Sequence, residues 1–216
     1  MKYYTFFNTD ELNVIGEYPQ IEKSEKYNLS SPYSYWNVFW NKFPEFEPIY
    51  SVKIRNNAVA TNLLHYLPGF KGLTIDNELK DLLCKFKLPP HRFYPAEVVH
   101  HNKQLKYYWF HFIDSFINYV DFEKTTFELF QKWPFTILKE FNFSSVDQLH
   151  KLEGELNFEK DIQIKQLVLL DTFPKYDILS LSNITPLILI SEELKKTLEE
   201  SKLQGFDFKE YKQLII

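Results

Sequence analysis

Two stretches of this chain write the same structural signals in the same order. "TIDNELKDLLCKFKLPPHRFY" runs from Thr74 to Tyr94, and "LISEELKKTLEESKLQGFDFK" from Leu189 to Lys209. At one constant offset they agree at Ile75/Ile190, Glu78/Glu193, Leu79/Leu194, Lys80/Lys195, Leu83/Leu198, Lys87/Lys202, Leu88/Leu203 and Phe93/Phe208. In each copy an isoleucine precedes Asp76 or Ser191, whose side-chain oxygen can accept an unpaired N–H at a helix start. Acidic residues follow (Glu78; Glu192 and Glu193), where the helix dipole favours them. Leu79, Leu82 and Leu83, and Leu194 and Leu198, form an apolar stripe. The stops differ in chemistry: Pro89-Pro90 cannot continue a helix, whereas Gly205 supplies a left-handed turn. Each helix then runs into a strand holding Phe93 or Phe208. Two explanations stand side by side: common strand-helix-strand punctuation, and an internal duplication giving a pseudo-symmetric pair of lobes.

The rest of the chain extends this into an α+β fold: mixed, largely antiparallel sheets, a few short helices, and two strand-helix-strand units. The expected organisation is one compact domain over residues 1–216, with two lobes at about 1–125 and 126–216. With 44% hydrophobic and 18% aromatic residues the chain has ample material for a core. "KYYTFFN" reads as an opening strand, residues 10–30 as irregular, and "IYSVKI" and "NLLHYL" as short strands. "HRFYPAEVVHH" and "QLKYYWFHF" predict a hairpin turning at Asn102-Lys103, which sets His100 opposite Leu105 and His111 opposite Tyr94. "FINYVDF", "TTFELF", "IQIKQLVLLD" and "YDILSL" read as strands. "SSVDQLHKLEGEL" predicts a helix capped by Ser144 or Ser145, with Gln148 available for a capping box.

Little in the chain points to chemistry. The net charge is −4, and arginine occurs only at positions 55 and 92, which argues against a nucleic-acid partner. Apolar runs such as "LVLL" and "LILI" are strand-sized, so no membrane span is expected. The segment "MKYYTFFNTDELN" has no signal-peptide pattern, and the expected location is the cytoplasm. The single cysteine, Cys84, excludes an internal disulfide and reads as a small core residue. His91, His100, His101 and His111 lack a metal-ligand spacing, and no nucleophile elbow, phosphate loop or dinucleotide fingerprint occurs. Carboxylate pairs (Glu45/Glu47, Glu153/Glu155, Asp121/Glu123) fit a glycosidase no better than any acidic surface. No catalytic, metal or cofactor site is therefore expected.

The segment best suited to binding is "SSPYSYWNVFWNKFPEFEP". Ser31 and Pro32 open it, Pro44 closes it, and Trp36, Phe39, Trp40 and Phe43 fall at helical spacing, predicting a short aromatic helix. Such rings either plug a core or anchor an interface. Tyr33, Tyr35, Trp36, Trp40, Glu45 and Glu47 are the candidate partner-binding residues, with Tyr33 and Tyr35 expected to be exposed.

"LILISEELKKTLEESKLQGFDF" also resembles the closing signature of a large group of immunity proteins from bacterial polymorphic toxin systems, typified by a myxobacterial member. Ile190, Ser191, Leu194, Leu198, Leu203, Gly205 and Phe208 carry that likeness. "RFYPAEVVHHNKQLKYYWFHFIDSFINYVDFEKTT" is similar to the family's middle hairpin and aspartate-bearing strand through Phe93, Pro95, Glu97, Tyr107 and Asp121, with Thr125 where serine is expected. The resemblance covers about 70–125 and 176–209. It implies a non-catalytic cytoplasmic protein that binds and neutralises a cognate toxin domain. The alternatives are an enzyme with an unrecognised hydrolase-like site, and a scaffolding domain of a secretion system.

Overall fold

Three sheets organise the chain in the computed structural model, which describes residues 2–25, 27–113, 116–181, 185 and 187–215. The first has six strands: β2 (Ile21–Lys23), β3 (Ser51–Ile54), β6 (His91–His100), β7 (Lys103–Phe112), β5 (Leu73–Asp76) and β4 (Leu63–Leu64), in that spatial order. The second has the order β11 (Ile178–Ser180), β12 (Ile188–Ser191), β1 (Tyr3–Asn8), β13 (Phe206–Glu210). The third runs β14 (Leu214–Ile215), β10 (Lys160–Val168), β8 (Thr126–Gln131), β9 (Thr136–Phe141). Helices α1 (Leu12–Ile15), α2 (Asn77–Leu83), α3 (Val146–Glu155) and α4 (Glu192–Glu200) complete the regular structure with two 3₁₀ turns. The architecture is α+β, mostly sheet, with mixed and antiparallel pairing.

Both copies of the sequence repeat fold as strand, helix, strand. Asp76 accepts from the Leu79 amide at 2.9 Å and Ser191 from the Leu194 amide at 3.2 Å, so both caps form. In neither copy do the flanking strands touch. A third strand, antiparallel to both, lies between them: β7 between β5 and β6, and β1 between β12 and β13. The registers correspond. Ile75 opposes Tyr108 as Ile190 opposes Tyr4, and Phe93 opposes Phe110 as Phe208 opposes Phe6. The likeness also extends backwards, because Leu63 pairs with Ile75 as Ile178 pairs with Ile190. Each copy is thus a four-stranded module, β4-β5-β7-β6 or β11-β12-β1-β13, carrying one helix.

Side-chain contacts repeat with the backbone. The Lys80 ammonium lies 4.1 Å from the centre of the Tyr108 ring, and that of Lys195 lies 5.0 Å from Tyr4. Tyr107 and Tyr3 both donate 2.6 Å hydrogen bonds, to the carbonyls of Thr61 and Tyr176. Burial raises the pKa of both hydroxyls, helped by the charges of Asp76 and Asp177 respectively. The modules also clasp each other reciprocally. Asn62 donates to its own module's cap, Asp76, and accepts from the Gln204 amide of the other. Asp177 accepts from its own cap, Ser191, and from the Lys87 amide of the other.

Strand alternation then gives three cores. Leu79, Leu83, Leu194 and Leu198 from both helices meet Ile75, Ile190, Phe6 and Phe110 in a shared central cluster. Each such leucine contributes about 1.5–3 kcal/mol of burial. On the outer face of the first module, Tyr94, Val98, Tyr107 and Trp109 pack beneath a flap spanning residues 27–50. On the outer face of the second, Tyr3, Leu179 and Leu189 pack against the third sheet and Leu149 of α3. β1 is the middle strand of a sheet otherwise drawn from 178–210, so no single cut in the chain separates the sheets.

Several expectations need correction. The 31–44 segment is no helix: only Tyr35–Asn37 forms a 3₁₀ turn, because the Tyr35 amide donates to the Ile49 carbonyl and Ile49 returns a bond to Tyr33. The hairpin turns one residue earlier, at His101-Asn102, both with positive φ as a tight two-residue turn requires. His100 therefore opposes Lys103, Trp109 opposes Tyr94, and His111 opposes Arg92. Within "FINYVDF", Phe116–Tyr119 is a 3₁₀ turn. α1, β2 and β9 were not expected. Cys84 is exposed at the end of α2, outside the core.

Candidate protein-binding surface

The flap presents some of its rings to solvent and uses others as its own foundation. Ser34 caps its 3₁₀ turn, accepting from the Trp36 amide at 3.1 Å while its hydroxyl meets that of Tyr27 at 2.7 Å. Tyr35 points inward. It stacks on Tyr27, meets Tyr50 and Phe70 edge-on, donates to the Pro68 carbonyl at 3.2 Å and is 2% exposed. Its expected exposure is overturned, and it leaves the list of surface candidates.

Trp36 takes the opposite course and is 54% exposed. Its ring lies against Gly69, where an added Cβ would come within 2.5 Å of the indole. Gly69 has φ of +74°, a conformation that glycine adopts without cost, so one residue type serves both the turn and the close approach. The Lys71 ammonium sits 5.8 Å from the Trp36 ring, its pKa lowered by partial burial. Phe39 is likewise exposed, with the Lys42 ammonium 5.0 Å from its ring. Tyr33 is exposed and meets Phe46 edge-on, whereas Trp40 is half-buried. Glu45 and Glu47 are both exposed on this surface. The spacing read from sequence did not single out Phe39 as an interface residue; only the absence of a helix turns it outward.

Beside Phe39 and Phe46 lies a cleft of about 270 Å³, also lined by Asn37, Lys42, Phe43, Pro44 and Glu45. Two groups of the sheet hold it from below. His111 Nε2 lies 3.0 Å from the Phe39 carbonyl, and the Arg92 guanidinium covers the Phe43 ring at 4.6 Å. His111 is buried, and desolvation depresses its pKa to about 4, with Arg92 and Lys71 adding to the effect. The imidazole is neutral at physiological pH and ties flap to sheet without a buried charge.

The remaining candidates from sequence are not brought together. His91 bonds the Pro89 carbonyl at 2.8 Å, and the rings of the sequence neighbours His100 and His101 lie tilted with centroids 4.0 Å apart. Among the described residues no group of three His, Cys, Asp or Glu side chains could hold a metal. Asp121 binds Lys124 at 2.8 Å and accepts from its amide, organising a turn. Burial raises the pKa of Glu153, with opposing help from His150. A cavity of about 370 Å³ lies where Leu73 and Ile188 of the two modules approach Phe6 and Tyr66. Tyr211 lines it too, its hydroxyl pushed up to about 12 by burial. No helix among the described residues is long and apolar enough to cross a membrane. No family model and no curated protein sequence matches this chain.

Proposed function

We propose that this protein is a non-catalytic immunity protein that neutralises a cognate toxin domain by surface complementarity, with the flap as its contact surface. The observation that carries the reading is an exposed tryptophan and phenylalanine: Trp36 packs its ring on Gly69, and Phe39 lines a cleft with its carbonyl tied to His111. Interfaces draw most of their energy from a few such rings at their centre. Holding them in place before binding reduces the entropy lost on association. Glu45 and Glu47 supply the polar rim, and the resemblance of the second repeat copy and of the β6–β7 hairpin to immunity proteins suggests the class of partner, a toxin domain.

The test pairs the protein with the C-terminal domain encoded by the adjacent gene. That domain is produced in a sensitive host with the native protein, with Trp36→Ala/Phe39→Ala, or alone. Relief of toxicity and a stoichiometric complex are expected with the native protein. The double variant should weaken the complex by about 2 kcal/mol or more, while its circular dichroism and melting stay close to native. Toxicity that persists beside the native protein, with no complex, would defeat the reading.

A further inference from the structure

The two modules depart from each other at one position of the repeat, and a cavity opens there. In the first module β5 pairs with β7 as far as Leu73 opposite Phe110. Gly72 then comes closer still: a Cβ on it would sit 2.2 Å from the Phe110 carbonyl oxygen. The constant offset of the repeat puts Leu187 at the place of Gly72 and Ile188 at that of Leu73, with Phe6 matching Phe110. A leucine cannot repeat the approach that glycine makes. The pairing of β12 with β1 stops at Leu189 opposite Thr5, while β13 follows β1 on to Asn8. Among the described residues, Phe6–Asn8 therefore have a strand on one side only. On the other lies the cavity of about 370 Å³, bounded across the gap by Leu73 and Tyr66.

The lining has an apolar part and a polar part. Phe6 and Leu73 are buried core residues, and Ile188 packs with them. The polar part comes from the end of β13. Lys209 opposes Thr5, and the Tyr211 amide donates to the Tyr3 carbonyl at 3.0 Å, continuing the ladder. Residues two apart on a strand share a face, so Lys209 and Tyr211 stand on one side. Tyr211 is only 8% exposed, and its hydroxyl bonds none of the described residues. Burial alone raises its pKa, so the hydroxyl keeps its proton and remains a donor. Two charged residues line the cavity. Glu210 is paired with Lys2 at 3.6 Å, whereas Lys209 has no ion pair among the described residues. Asp207, on the same strand face, is not part of the lining.

We propose that this cavity binds a small carboxylate with an apolar tail, its head on the Tyr211 hydroxyl and the Lys209 ammonium and its tail against Phe6, Leu73 and Ile188. The volume lies within the ~300–1,000 Å³ of small-molecule sites, which are mostly apolar with a few placed polar groups. A buried hydroxyl without a partner gains most from a charged acceptor. The one uncompensated charge of the lining is positive, which selects an anion and disfavours an amine. The apolar walls supply the driving force for the tail, in proportion to the area it removes from water. No residue of the flap lines the cavity, so this site and the flap are separate surfaces.

Heteronuclear NMR of the full chain titrated with octanoate, octanol and octylamine tests this. Octanoate should give saturable shifts at the amides of Phe6, Phe7, Leu187 and Tyr211, and bind more tightly than octanol, with octylamine weakest. From butanoate to octanoate each added CH₂ should tighten binding about threefold. Tyr211→Phe removes only a hydroxyl that bonds nothing in the fold. It should melt as the native chain does and weaken octanoate about tenfold. Lys209→Met, at an exposed position, should weaken it about threefold. Trp36→Ala/Phe39→Ala should bind octanoate unchanged. Absence of saturable binding up to millimolar octanoate overturns the proposal, as do shifts confined to other regions. So does octylamine bound as tightly as octanoate, or an affinity indifferent to both Tyr211→Phe and Lys209→Met.

Discussion

The two four-stranded modules share a register, a cap, a buried tyrosine and a lysine over an aromatic ring, yet their outer faces are covered differently. On the first, Tyr107, Trp109 and His111 all lie beneath the flap. On the second, the matching positions of β1 are Tyr3, Thr5 and Phe7; Tyr3 is buried against the third sheet while Phe7 is exposed. The inner faces cannot diverge in this way, because the two helices fill one core and a change in either module is felt by both. Outer faces are free to take different covers, and both covers expose large rings: Trp36 and Phe39 on one, Trp133 and Phe158 on the other. The repeated part is the frame, and the unrepeated parts carry these exposed rings.

The sharpest test of equivalence is in the shared core. Leu79→Ala and Leu194→Ala remove fully buried, corresponding side chains, and each should cost about 2–5 kcal/mol. If the modules are equivalent, urea denaturation should give two values within about 1 kcal/mol of each other. A wide gap would mean that one module folds as support for the other.

The helix stops should break the symmetry. Gly205 has φ of +104°, and a Cβ there would sit 2.3 Å from the Leu63 carbonyl oxygen and 2.6 Å from Thr61 Oγ1 of the other module. Gly205→Ala is expected to cost about 3 kcal/mol, whereas Pro90→Ala, at the exposed matching position, should cost under about 1 kcal/mol. Equal losses in thermal melts would argue against the close approach as the reason for glycine.

Titration separates the two covers. His111 has a folded pKa of about 4 against an ordinary 6.5. Between those values the unfolded chain binds the extra proton, so stability rises with pH through this window. The contribution, on the order of 3 kcal/mol, is complete above about pH 6.5 and lost as pH falls to 4. His111→Gln should flatten the stability profile across that range. The second module holds Phe7 at the matching place and should contribute no such slope.

Smaller differences are expected at the caps. Asp76→Ala should cost about 1 kcal/mol. Ser191→Ala should cost somewhat more, about 2 kcal/mol, because Ser191 is fully buried and also donates to Asp177 at 2.6 Å. Chemical denaturation of both variants beside Asp177→Asn would show whether that bond accounts for the excess. The reverse order would place the dominant contact at Asn62 and Asp76 instead.

Much of this frame was legible in the sequence because its signals are local. A cap oxygen and the amide it accepts are three residues apart, a leucine stripe follows the helical period, and a stop lies just beyond it. Asp76, Ser191, Leu79, Leu194 and Gly205 could each be assigned without a partner from elsewhere in the chain. The strand inserted between the flanks could not. β7 follows its unit while β1 precedes the other by most of the chain, so no constant offset aligns Tyr108 with Tyr4. Strand pairing is non-local, and only the folded structure chooses which strand fills the gap. The flap was decided at the same level. Its aromatic spacing fits a helix, but the bonds from Tyr35 and Tyr33 to Ile49 hold it irregular, sending Tyr35 inward and Trp36 and Phe39 outward. Cys84 was decided likewise: one residue beyond the buried Leu83, it lies at the end of α2 with its side chain exposed. Local propensity determined where the two repeat helices begin and end, and tertiary packing determined which strands pair, where the flap departs from a helix, and which side chains are left exposed.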